Sequence, residues 1–494
     1  MASPNCYAGG GNRAQERATA VQGPVATFRE HLERRYRRGV RQPCLILALW
    51  RFAATTLEFR GQGAALMQQD HFLDRQPAVA KHAGAELAKA GNGLGAELTC
   101  PGATPLPNPS SPWHLASAAA AVLFVALVFL VIPREVVGLN ADSSWCTVLS
   151  YAQQKGWQFG TEIVFTYGPA GFLVTPWSTG HPFVVRLLSD ITLTLLVAAG
   201  LCLAAWRVRL LCRLLLLGTL ILLAPNIHLS ADLLLYIGLL CWGALCLVES
   251  GGRLVMAVAV LACLAAFASL IKMNFLFAAA LSIGAVTCDL ALRERLRLAL
   301  CLVLGFAASV ALGWVLLGQN LSHFGSFLAN GLAMCVAYNH GSAYHLPEVK
   351  MGGMIAATAA LIMTVTGALT AFDSNDKRAR WRRGLLLAWT GSLLFITWKH
   401  GFARGDRYHI GFFLIFIPAL ALALEALPRE APAGRAAVRG IGAFCCVICA
   451  LTLQSAFFPA YLNFCARQPM RAISRNIRAI LNTTEYWQAL NWDL

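Results

Sequence analysis

The chain has 494 residues, of which 57% are hydrophobic and only 13% charged. Soluble domains carry about a quarter of their residues as charges, so an ordinary soluble fold is excluded, and the apolar runs do not alternate as barrel strands would. The formal net charge of +16 sits mainly in short loops between apolar runs, where membrane insertion accounts for it; it does not point to nucleic acid.

Residues 1–110 are rich in Gly, Ala, Arg and Gln, with basic stretches such as RRYRRGVR at 35–42. They carry no sustained periodicity. The apolar piece CLILALWRFAA at 44–54 is too short to span a bilayer, and the basic, apolar, small-residue order of a signal peptide is missing at the start. The expectation for this region is disorder, or an extension that does not belong to the native protein, with Met67 as an internal candidate start. PGATPLPNPSSP at 101–112 reads as a linker.

The membrane domain follows at 111–457, with a short C-terminal segment at 458–494. Its apolar runs fall at about 113–133, 183–206, 210–225, 231–248, 253–271, 274–292, 297–317, 353–371, 385–400, 408–427 and 439–457. Runs of roughly this length are membrane helices, so the expected fold is an all-α polytopic protein with about eleven crossings. Threading from an inside N-terminus gathers Arg207, Arg209 and Arg213, Arg253, Arg293, Arg295 and Arg297, DKRARWRR at 376–383, and Arg429, Arg435 and Arg439 on the inside, as the positive-inside rule demands. Loops 134–182, 226–230, 318–352 and 401–407, and the C-terminal segment, then lie outside. Most of the sixteen cysteines sit in apolar runs, where cysteine behaves as a small hydrophobe. Cys446-x-x-Cys449 is read the same way.

The same threading brings the unusual polar residues to one side. The block DSSWCTVLSYAQQKGWQFGTEIVFTYGPAGFL, Asp142 to Leu173, is polar, aromatic and turn-rich, and carries Asp142 and Glu162. Lys272 ends the 253–271 run. The loop after 317 holds Gln319, Asn320, His323, Tyr338, His340 and His345, and KHGFARGDRYH at 399–409 holds His400, Arg404, Asp406 and His409. Charge at membrane depth is costly and marks functional candidates. Each residue also has a plainer reading. Asp142 fits a helix N-cap, Glu162 a solvated loop acid, Lys272 a snorkelling end, the aromatics an interfacial belt, and Arg404 with Asp406 a simple pair. No HExxH, DxD, Walker or Rossmann pattern occurs in a credible context. Asn320-Leu321-Ser322 and Asn482-Thr483-Thr484 match a glycosylation sequon easily met by chance.

FGTEIVFTYGPAGFL at 159–173, after a first span and an acid-led outer loop, together with KHGFARGDRYHIGFF at 399–413, resembles the GT-C superfamily of integral-membrane glycosyltransferases, in a bacterial branch. The resemblance covers about 113–457. It implies a multi-pass protein of the bacterial inner membrane that moves a sugar from a polyprenyl-phosphate donor to an acceptor at the extracytoplasmic face. It implies Asp142 as the catalytic base and Glu162 as a second acid that orients the acceptor or helps hold a divalent cation. Tyr167, Lys272, Arg404, Asp406 and His409 would bind the substrates, the cations facing the lipid phosphate. The adjacent paired acids of several branches of that superfamily do not occur here.

Two other readings stay open. A transporter or lipid flippase would place its site near the bilayer midplane on broken helices, whereas the polar clusters here lie at span ends and no internal repeat is visible. A non-catalytic membrane scaffold would leave the acids dispensable.

Overall fold

Fourteen α-helices make up almost all of the described part of the chain in a computed structural model, which describes residues 112–132, 141–175, 183–224, 231–338, 347–372, 376–404, 407–429, 431–457 and 461–482. All of these residues fall within the unit Leu98–Leu494. The expectations for residues 1–110, and for the end of the C-terminal segment, lie outside the described residues.

In chain order the helices are α1 (Pro112–Phe129), α2 (Ala141–Lys155), α3 (Phe183–Trp206), α4 (Leu210–Leu223), α5 (Ala231–Val248), α6 (Gly251–Ile271), α7 (Met273–Leu292), α8 (Leu296–Leu316), α9 (Phe324–Tyr338), α10 (Pro347–Leu369), α11 (Lys377–Arg404), α12 (Arg407–Glu425), α13 (Pro432–Phe457) and α14 (Tyr461–Leu481). Among the described residues six stretches are long and apolar enough to cross a membrane: Val185–Trp206, Gly251–Ile271, Met273–Leu292, Leu296–Leu316, Met351–Leu369 and Pro432–Ser455. This is a multi-pass helical membrane protein. Of the other expected spans, Leu115–Phe129, Leu210–Leu223, Asp232–Val248 and His409–Glu425 are shorter apolar helices, and 385–400 lies inside the 28-residue α11.

Two helices form the centre. In α5 every residue from Leu233 to Leu247 is buried, and in α12 almost every residue from Ile410 to Leu424 is. A helix apolar on all sides is stable only when enclosed. α5 is enclosed by α3, α6, α7 and α12, and α12 by α4, α5, α10, α11 and α13. α8 lies at the periphery and turns Leu296, Leu300, Leu304, Leu312 and Leu316 outward, the pattern of a lipid-facing surface. The buried thiols of Cys445, Cys446 and Cys449 are free and pack as small apolar groups in the core.

The two ends of the bundle differ in chemistry. At one end, arginines close the C-termini of helices, whose last carbonyls have no partner in their own helix. Arg213 donates to the carbonyls of Ala205 (2.8 Å) and Trp206 (3.1 Å). Arg293 donates to Cys246 and Glu249 (2.9 Å each), Arg382 to Leu247 (3.0 Å), and Arg383 to Ala371 (2.8 Å) and Phe372 (3.0 Å). Carboxylates at this end tie arginines across elements: Arg207 to Glu249 at 2.6 Å, Arg382 to the buried Asp289 at 2.6 Å, and Arg439 to Glu425 at 2.6 Å. Positive charge at a helix C-terminus also suits the helix dipole. The sequence-predicted inside loops therefore do assemble at one end, the arginine end. The opposite end, the loop end, carries the segments expected to form the site.

Candidate functional site

The segment after α2 is built on glycines and on a pair of glutamines. α2 closes at Gly156, and the chain turns through Gln158–Ile163. The amides of Glu162 and Ile163 donate to the Gln158 carbonyl, and the Glu162 carboxylate accepts from the Gln158 amide at 2.6 Å. Gln158 donates to the Gly318 carbonyl at 3.0 Å and accepts from the Asn320 amide at 2.8 Å. Gln319 accepts from the Phe159 amide at 2.8 Å and donates to the Trp157 carbonyl at 3.1 Å. Asn330 donates to the Gly160 carbonyl at 2.8 Å. Gly160 has φ +94°, and a Cβ there would stand 2.3 Å from the Phe327 backbone nitrogen. Only glycine fits. Two loops that the threading placed on one side are thus locked together.

The chain then runs along the junction between α6 and α7. Those two apolar helices are separated by a single residue, Lys272, in an extended conformation (φ −157°, ψ 144°). An extended residue leaves carbonyls at the end of α6 and an amide at the start of α7 unpaired, which is expensive near lipid. The loop supplies the partners. Gly168 and Ala170 donate to the carbonyls of Ile271 (2.8 Å) and Leu270 (3.0 Å), and the Met273 amide donates to the Thr166 carbonyl (2.9 Å). Thr166–Ala170 serves as a strand-like cap on a helix junction.

This pairing sets Tyr167 opposite Lys272. The Lys272 ammonium donates to the Tyr167 hydroxyl at 3.0 Å and to Asp232 Oδ2 at 3.3 Å, and lies 4.5 Å from the Tyr167 ring centre. Tyr167 stacks on Trp145 of α2 at 4.7 Å between centroids and against Phe165 at 5.7 Å. Asp232 stands in the first turn of the enclosed α5. His400 near the end of α11 has Nε2 4.0 Å from the same Asp232 oxygen, and it stacks on His409 in the first turn of α12 at 5.8 Å. The side chains of Lys272, Asp232 and His400 are 14%, 9% and 8% exposed. Burial pulls the Lys272 pKa down, but Asp232 and Tyr167 push it further up, so the group stays an ammonium. Burial, reinforced by the Asp232 charge, raises the Tyr167 phenol above its ordinary value, so it stays protonated. A small cleft with room for about one water molecule adjoins the pair, lined by Asp232, Leu233, Tyr236, Thr397, His400, Phe412 and Phe413. Among the described residues the buried Tyr236 hydroxyl has no hydrogen-bond partner, so it calls for a water or another polar group beside it.

The sequence-predicted residues divide by placement. Tyr167 and Lys272 meet directly, and His409 joins them through His400 and Asp232. Glu162 is exposed in the neighbouring turn, with one oxygen held by the Gln158 backbone amide. Asp142 is the second residue of α2, three residues before Trp145, and Arg404 ends α11 one turn beyond His400; their side chains, and all of Asp406, lie outside the described residues. Asp232 and Tyr236 were not foreseen. An acid opening an otherwise apolar run was their sequence signal. Among the described residues no three His, Cys, Asp or Glu side chains come together as a metal cage.

Fold and site define a multi-pass helical membrane protein with a buried lysine–aspartate pair, a tyrosine and two histidines at one end of the bundle. Comparison with models of protein families, with curated proteins and with solved structures gave no match.

Proposed function

We propose that the protein is a membrane glycosyltransferase that moves a sugar from a polyprenyl-phosphate donor to a hydroxyl acceptor, with the arginine end inside and the loop end extracytoplasmic. In this reading the four shorter apolar helices and the core of α11 cross together with the six long ones, giving eleven spans in a GT-C-like arrangement.

The observation that carries the reading is Lys272. It is a permanently charged ammonium, held at a helix junction at the membrane edge between a carboxylate and a stacked aromatic layer. A leaving lipid phosphate needs such a fixed cation, since preorganised charge is worth most where charge develops in a partly dry site. The layer of Trp145, Tyr167 and Phe165 suits a sugar face. In the reaction the bond between the anomeric carbon and the phosphate oxygen breaks, and the acceptor oxygen bonds to that carbon. The acceptor proton passes to Asp142 as general base, and polyprenyl phosphate departs. Asp232 is then a positioning residue for Lys272. Arg404 adds a fork suited to phosphate, Asp406 fixes Arg404, and Glu162 orients the acceptor or helps hold a divalent cation.

The test uses purified protein in lipid with a panel of polyprenyl-phosphate sugars, reading released polyprenyl phosphate. Asp142→Asn should abolish transfer with insertion intact, and full transfer by that variant ends the assignment. Arg404→Ala should weaken donor binding more than acceptor binding; unchanged donor affinity removes its phosphate role.

One observation favours a transporter as second reading. Arg186 and Asp190, 3% and 4% exposed, pair within the first turns of α3, and buried charges in a span commonly mark ion or proton paths. Gradient-driven uptake into proteoliposomes, with no covalent product from any donor, would favour that reading over transfer.

A further inference from the structure

Helix α14 has the build of an element lying in the plane of the membrane surface. Its sequence, YLNFCARQPMRAISRNIRAIL, has four arginines and no acid, and its faces are sorted three ways. Pro469, Ala472, Asn476 and Ala479 are buried and recur every three or four residues, which places them on one face. Asn476 donates to the carbonyls of Leu127 (2.8 Å) and Leu130 (2.9 Å) at the exit of α1. Ala479 packs with Leu130, Ile132 and Leu187, so the helix is fixed at the loop end, where α1 leaves and α3 begins. A second face is apolar yet open: Met470, Ile477, Ile480 and Leu481 are 65%, 39%, 38% and 76% exposed. The third carries Arg467, Arg471 and Arg478, all exposed and at the spacing that aligns them along one stripe. Among the described residues no carboxylate pairs with any of these three, and the nearest polar contact within the stripe is Arg478 to Ser474 at 3.4 Å.

A soluble surface would not leave that apolar face open, and a spanning helix would not carry that stripe. One medium satisfies all three faces together: the protein on one side, acyl chains beneath, and negative headgroups above. We infer that α14 is an interfacial helix that binds the phosphate headgroups of anionic phospholipids through Arg467, Arg471 and Arg478, in the leaflet at the loop end. Charge selects the occupant. Among the described residues these three guanidiniums have no neighbouring acid; like charges so close repel one another and are relieved by anions. The adjoining open apolar face requires that those anions be anchored in lipid. The inference does not depend on which reaction or transport step the buried site performs.

The experiment is hydrogen–deuterium exchange of the full chain in nanodiscs of phosphatidylcholine alone, and of phosphatidylcholine mixed with an equal part of phosphatidylglycerol. Amides in 461–481 should exchange at least about fivefold more slowly in the anionic discs, the factor that one arginine contributes at an anionic surface. The difference should shrink at high salt through screening. The variant Arg467→Gln/Arg471→Gln/Arg478→Gln should exchange alike in both discs, while Arg467→Lys/Arg471→Lys/Arg478→Lys keeps the contrast. Exchange in α6 should be unchanged throughout, which shows that each variant is folded. Equal exchange of the unaltered chain in the two discs, or a contrast that survives the glutamine variant or is lost in the lysine variant, overturns the inference.

Discussion

Removing one partner of the Lys272–Asp232 pair is the sharpest perturbation the site offers. At 3.3 Å and an effective dielectric near 20, the gross attraction between the two charges is about 5 kcal/mol. Desolvation of both ions consumes part of this, and breaking such a pair by truncating one side costs about 3–5 kcal/mol. The two singles should not be equal. In Lys272→Met, Asp232 keeps His400 at 4.0 Å as a second partner, so the loss should sit at the low end. In Asp232→Asn the ammonium remains enclosed with the Tyr167 hydroxyl and loses its counter-charge, so the loss should sit at the high end. The double variant should be less destabilised than the sum of the singles by about 2 kcal/mol, since the uncompensated charge is gone. Equilibrium unfolding in mixed micelles measures all four corners of the cycle. The Lys272 pKa is raised, so the pair's contribution is complete below the unfolded lysine value, about 10.4, and is lost only as pH rises through the higher folded value. Repeating the cycle at neutral and mildly alkaline pH should therefore return the same coupling. Additive singles, or a coupling that fades between those two conditions, would refute the view of Lys272 as a permanently paired cation.

Tyr167→Phe keeps the stack on Trp145 and removes only the hydroxyl at 3.0 Å from Lys272, so it should cost about 1.5–3 kcal/mol, the range for a hydrogen bond to a charged group, in the same unfolding assay. Gly160→Ala should cost several times more than Gly156→Ala. Both sites have positive φ (+94° and +68°), but only at Gly160 would the new methyl meet backbone, whereas Gly156 is open and bears just the left-handed penalty of about 1–2 kcal/mol. Limited proteolysis between residues 156 and 163 should rise in the Gly160 variant alone. At the arginine end, Arg382→Ala removes both the 2.6 Å contact to Asp289 and the bond to the Leu247 carbonyl. Arg293 still faces Asp289 at 3.3 Å, so the loss of thermal stability should be smaller than that of Asp289→Ala, which strands both arginines.

Helical class, multi-pass character and the sorting of arginines to one end were legible in composition and loop charge, because insertion itself acts on those properties. Threading the expected spans also put the segments of Tyr167, Lys272, His400 and His409 on one side, and those side chains do come together at one end of the bundle. Asp232 was hidden because it opens a run that otherwise reads as a plain apolar helix. The Gln158–Gln319 clamp was hidden because side-chain to backbone pairing across 160 residues leaves no local pattern. Glu162 read as a candidate acid from its neighbourhood, yet its nearest duty is to close its own turn. The arginines of the inside loops were read as topology signals alone, and their bonds to helix carbonyls follow only from which helix ends lie side by side. In α14 the arginine spacing was present in the sequence, but against a strongly apolar chain a polar helix stands out only once its packing partner is known.

The site and the break in the helical backbone have one cause. Near lipid, a chain can leave the helical conformation only where something else satisfies its amides and carbonyls, and at Lys272 that role falls to Thr166–Ala170. A cap of this kind must approach the junction closely: at Gly168 a Cβ would stand 2.5 Å from the Leu270 carbonyl oxygen, so the loop must carry glycine there. Once the cap is in place, Tyr167 is delivered opposite Lys272, and the lysine cannot swing out to water as a snorkelling residue at a free helix end would. It must instead find a counter-charge within the protein, and the first turn of α5 supplies Asp232. The buried ion pair is therefore the consequence of a junction that the loop permits. Lengthening the junction by one glycine after Lys272 should free the ammonium, release the loop from α6 and abolish the site while leaving the arginine end, with its separate set of bonds, intact.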